Sequence, residues 1–84
     1  MASTSLASGL LTTNALLFEG RGMFRGVNIH QGTVSIYDGV DATGKLLFRG
    51  SAEQAFSDSG IRFTEGLYVD VETGDGEAVV YWGS

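Results

Sequence analysis

Few residues of this 84-residue chain combine a reactive type with a useful spacing. The run Asp38-Gly39-Val40-Asp41-Ala42-Thr43-Gly44 offers side-chain oxygens at Asp38, Asp41 and Thr43. Calcium takes about six to eight oxygens, so three fall short. The run reads as a hairpin loop whose aspartates cap backbone N–H groups. Asp70 and Glu72 share one strand face. A glycosidase needs two carboxylates across a cleft, one of them in an apolar pocket. A chain this short encloses no deep cleft, and the pair reads as a solvated face that discourages edge-to-edge aggregation. Gly20-Arg21-Gly22 and Asp75-Gly76 are glycine-rich, but neither opens a helix as a phosphate loop must. His30 is the sole histidine and there is no cysteine. A disulfide, a thiolate zinc site, an iron–sulfur cluster and a two-histidine metal site within one chain are therefore excluded. The serines stand in no nucleophile-elbow motif. We expect no catalytic, cofactor-binding or metal-binding residue, and no enzyme.

The elements that position these residues are short strands. Thirteen glycines and no proline suit tight turns between hydrogen-bonded strands. Strands are expected over 15–19, 23–30, 33–38, 45–49, 61–64, 67–72 and 77–82. The 52–56 run is either one helical turn or a strand with a bend. In 23–30, alternation puts Met23, Arg25, Val27 and Ile29 on one face and Phe24, Gly26, Asn28 and His30 on the other. Gln31-Gly32, Glu65-Gly66 and Thr73–Gly76 read as tight hairpin turns. The expected fold is all-β, a small antiparallel sandwich or barrel of about six to seven short strands. Residues 1–14, rich in Ser and Thr, form an N-terminal arm or a docking first strand, and residues 15–84 form a single β domain.

Ten acids against five bases leave a net charge of −5. Nucleic acid and anionic membranes are poor partners for such a surface. The apolar run 15–18 is too short for a signal-peptide core or a membrane span. We expect a soluble protein made in a cytoplasm. A core this small needs reinforcement. With no disulfide available, self-association is the expected source.

The last strand points the same way. Ala78, Val80 and Trp82 lie on one face, while Val79 and Tyr81 make the other apolar as well. Two apolar faces call for two covers. One is the facing sheet. The other is either a second subunit or the N-terminal arm. The expected interface residues are Leu6, Leu10 and Leu11 on the arm, with Tyr81 and Trp82 on this strand. Arg21 and Arg25 would pair with acids of a partner. An exposed Tyr/Trp cluster would alternatively stack on sugar rings.

The runs Phe24-Arg25-Gly26-Val27-Asn28-Ile29, Gly32-Thr33-Val34-Ser35-Ile36-Tyr37-Asp38-Gly39, Ala42-Thr43-Gly44-Lys45-Leu46-Leu47 and Phe63-Thr64-Glu65-Gly66-Leu67-Tyr68-Val69-Asp70-Val71 follow one another in a familiar order. Over residues 20–82 the chain resembles small virion structural proteins of tailed bacteriophages, of the capsid decoration or cement type. The resemblance implies a β-sandwich, no catalysis and no cofactor. It further implies a homotrimer seated on the major capsid protein, in a virion assembled in the host bacterial cytoplasm. A fibre or spike module binding host-surface glycan, or a head–tail component, is the alternative expectation.

Overall fold

The computed structural model describes residues 5–83. They form eight strands: β1 (Ser5–Ala7), β2 (Ala15–Glu19), β3 (Gly22–Gln31), β4 (Thr33–Asp38), β5 (Lys45–Ser51), β6 (Gln54–Phe63), β7 (Gly66–Val71) and β8 (Glu77–Gly83). Two four-stranded antiparallel sheets result, sheet A in the order β1-β8-β3-β6 and sheet B in the order β2-β7-β4-β5. The molecule is all-β, a small β-sandwich. It has more strands than expected because part of the arm becomes β1. The ambiguous 52–56 run contributes to the ten-residue β6, with no helical turn.

Alternation builds the core. Val34 and Ile36 of β4, Leu67 and Val69 of β7, and Ala78, Val80 and Trp82 of β8 point between the sheets and are buried. Phe63 of β6 joins them. In β3 the simple alternation fails. The register shifts between Phe24 and Gly26 against both neighbours. This bulge lets Phe24, Val27 and Ile29 all face inward. The expected grouping of Phe24 with Asn28 and His30 is therefore corrected. Along the β5–β6 side the sandwich is closed by aromatic rings. Phe48 stacks on Phe56 at 4.7 Å and Phe56 on Phe24 at 6.0 Å.

Every connection except β4–β5 crosses from one sheet to the other. The turns at Gln31-Gly32, Glu65-Gly66 and Thr73–Gly76 are thus corners between layers, and the hairpin reading of them is corrected. Their glycines turn the chain as expected, but the strand that follows pairs in the facing sheet. Three corners meet at one end. The Thr33 N–H donates to Thr73 Oγ1 at 3.1 Å, Ala52 N to Gly32 O at 2.8 Å and Glu72 N to Thr33 O at 2.9 Å. Gly32 has φ +73°, and a Cβ there would collide with Thr73 Oγ1 and Gly76 Cα.

Residues 5–11 run along the edge of β8. Leu6 pairs with Trp82 and Ala7 with Tyr81. Leu11 exchanges two backbone bonds with Ala78, at 2.7 and 3.0 Å. At Asn14 the segment crosses to sheet B, where Oδ1 accepts from Val71 N at 2.7 Å. This part of the arm widens the sheet and does not lie over the outer face of β8. Residues 1–4 and 84 lie outside the described residues.

Gly32→Ala is expected to destabilise the fold by more than the ~1–2 kcal/mol of a left-handed backbone alone, because the collision adds to it. Gly74→Ala, where a Cβ meets nothing within 4 Å, serves as the control. Paired denaturant titrations give the two values.

Candidate functional site

The outer face of sheet A carries a shallow trough along the seam between β3 and β6. The bulge creates it. Gly26 lies opposite Ser57 and Tyr81, and Asn28 opposite Ala55 and Val79. Small residues on β6 thus leave the seam low. A Cβ at Gly26 would meet Phe56 O at 2.5 Å, so the backbones approach closely only with glycine there. Midway along the seam is a hollow of about 300 Å³, lined by Arg25, Asn28, Ser57 and Tyr81 among others. Asn28 Nδ2 donates to Tyr81 Oη at 3.5 Å. Toward the start of β3 a second hollow of about 300 Å³ is lined by Arg21, Gly22, Met23, Arg25 and Arg62. The polar groups of the trough are guanidinium, amide and hydroxyl. This chemistry recognises carboxylates and other oxyanions.

The structure brings three of the expected interface residues into this trough, Arg21, Arg25 and Tyr81. The others lie elsewhere. Leu6 and Leu10 are 44 % and 58 % exposed on the β1 edge, whereas Leu11 packs against the core. Trp82 is 9 % exposed and belongs to the domain's own core. Its assignment to an interface is corrected, because its partners are intramolecular. Arg62 was not among the expected residues. It falls at the end of β6, and only the pairing of Met23 with Arg62 carries it beside Arg21.

Sheet B presents a different outer face. Its register aligns Leu16, Tyr68, Tyr37 and Leu46 in one row across all four strands. Leu16 and Leu46 are exposed, and the tyrosines between them are half-buried. Beside the row, Arg49 grips Glu72 with two bonds of 3.0 Å. The Ser35 hydroxyl, fully buried beneath, donates to the same carboxylate. The hydrogen bonds from Arg49 and Ser35 hold Glu72 below the usual glutamate range, against the opposing effect of burial.

A hollow of about 650 Å³ lies at the β4–β5 loop that offered calcium-type oxygens. Its two aspartates are turned to the protein's own donors. Asp38 accepts from the backbone N–H groups of Thr64, Glu65 and Gly66, at 2.9–3.4 Å. Asp41 accepts from the Thr43 N–H at 2.9 Å and from its hydroxyl. Among the described residues, no three His, Cys, Asp or Glu side chains are grouped to hold a metal ion. Burial pushes the Asp38 carboxyl up, but the backbone N–H groups outweigh it and hold the carboxyl below its ordinary value.

No family model matches this chain, and no match was found among curated proteins or solved structures.

Asp38 latches the β6–β7 corner to the end of β4. Because its pKa is lowered on folding, its contribution is present above the ordinary carboxylate value and is lost as pH falls through the folded value. Acid should therefore loosen this corner. Asp38→Ala should remove about 1–3 kcal/mol at neutral pH. It should also flatten the acid limb of a melting-temperature profile, which is the measurement that checks it.

Proposed function

We propose that this chain is a non-enzymatic virion structural protein, a capsid cement or decoration protein. It binds the major capsid protein at the shell surface and acts as a homo-oligomer, a trimer in the simplest lattice. The observation that carries this reading is the distribution of exposed apolar side chains. Of the six large ones among the described residues, Leu6, Leu10, Leu16 and Phe18 belong to residues 5–19. They lie on or beside β1 and β2, which are edge strands of the two sheets. Natural edges are commonly blunted by lysine or proline. The only charge in β1 or β2 is Glu19. Clustered apolar side chains on unblunted edges suit a surface made for assembly. Repeated over a shell, such contacts gain strength by avidity.

A second reading is favoured by the outer face of sheet B. The half-buried Tyr37 and Tyr68 stand directly opposite each other in register, with Asp70 two positions along the same strand face. Aromatic faces beside a carboxylate are a sugar-binding chemistry, which suits a glycan-recognising fibre module.

Purified protein mixed with undecorated shells of the phage that encodes it should bind and raise the shells' melting temperature. The Leu6→Ser/Leu10→Ser variant should lose occupancy roughly tenfold or more, given about 1.5–3 kcal/mol for each fully buried leucine and partial burial here. Measurable binding to a glycan array, lost in Tyr68→Ala and absent for shells, would establish the second reading instead.

A further inference from the structure

The register sorts the charged residues into two groups at opposite ends of β3. β3 spans ten residues from Gly22 to Gln31, so nine steps of ~3.3 Å set its ends about 30 Å apart. Near Gly22 stand Arg21, Arg25 and Arg62, with Lys45 at the matching end of sheet B. Among the described side chains, Glu19, Asp38, Asp41 and Glu65 balance them at this end. At the other end, Gln31 pairs with Glu77. That end gathers Glu53, Asp70, Glu72, Asp75 and Glu77. Arg49 is its one arginine or lysine among the described residues, and Glu72 engages it. The net negative charge of the described side chains therefore sits at the corner end.

The two ends also differ in shape. The arginine end is concave. Its hollow is floored by Gly22, where a Cβ would meet the Phe63 ring at 2.7 Å and Gly83 O at 2.8 Å. No acid lines it among the described residues, while the exposed Arg21 and Arg62 do. The acidic end carries an exposed turn, beside a smaller hollow of about 250 Å³ lined by His30 and Glu53 among others. Thr73–Gly76 is a tight corner, closed by Gly76 N to Thr73 O at 3.1 Å, with Gly74 and Asp75 exposed at its tip.

We propose that the hollow lined by Arg21 and Arg62 receives the Asp75 corner of a second copy of this chain, in a head-to-tail contact. The inference rests on the homo-oligomeric reading above and names the surfaces that meet. One patch meets a different patch, so the contact is heterologous. It closes into a ring if the rotation permits and extends into a filament if it does not. Oppositely charged ends also steer the encounter and set its register.

The test is sedimentation velocity of the full chain over a range of concentrations. Salt is varied from about 0.01 M to about 1 M, which shortens the screening length from ~30 Å to ~3 Å. Association is expected at low salt, either at a fixed ring mass or at a mass that climbs with concentration. It should weaken at least roughly tenfold at high salt. Arg62→Glu and Asp75→Arg should each weaken association by about tenfold or more, since each sets like charges face to face. Both positions are exposed, and circular dichroism checks that each variant is folded. The double variant Arg62→Glu/Asp75→Arg restores association at any ring size, because the carboxylate introduced in each copy then meets the guanidinium introduced in the next. Association that survives either single reversal, or a double variant that stays dissociated, overturns the proposal. A salt-insensitive oligomer lost only in Leu6→Ser/Leu10→Ser overturns it too, but leaves the homo-oligomeric reading standing. A chain that is monomeric throughout and also leaves shells uncoated overturns both.

Discussion

The core of this sandwich is shared by two sheets that the chain visits almost alternately. Each visit requires a corner, and each corner must be closed by hydrogen bonds from residues distant in sequence. At one end Gly32 and Thr73 interlock, so that the β3–β4 and β7–β8 corners are mutually dependent. At the other, Asp38 gathers the backbone N–H groups of the β6–β7 corner. Long-range contacts dominate such a topology, and neither sheet has a core without the other. That interdependence lets so short a chain hold a full apolar layer.

The same stitching decides which surfaces remain for other molecules. Aromatic stacking between Phe48 and Phe56 seals one side of the sandwich. The opposite side is bounded by β1 and β2, short strands with apolar side chains left partly in water. The outer face of sheet A is grooved because a bulge and a row of small residues lower the β3–β6 seam. The outer face of sheet B is filled by a row of leucine and tyrosine, with an ion pair beside it. A molecule of 38 × 24 × 17 Å thus offers several distinct faces.

Charge adds direction to that surface. The net negative charge is not spread evenly. It concentrates where three corners meet, while three arginines line one hollow at the far end of the same strand. A surface polarised in this way can distinguish head from tail, which an evenly acidic one cannot.

From its residues alone, this chain determined its class and its periodicity. Glycine without proline, alternating apolar residues and the Asp38–Gly44 loop are local signals, and strand propensity and turn chemistry act locally. Val34 with Ile36, Leu67 with Val69, and Ala78 with Val80 were legible as inward pairs for that reason. The partner of each strand was not. A glycine turn at residue 32 serves a hairpin and a sheet-to-sheet corner equally, and only the packed core selects the corner. The bulge at Arg25 was equally hidden, because an extra residue is recognised only against its neighbouring strands. On that bulge depend the inward turn of Phe24 and the trough that holds Arg25 and Tyr81. Trp82 looked like an interface residue because both faces of its strand are apolar. Tertiary structure placed it in the core, since inter-sheet burial removes more of its ring from water than any surface position does.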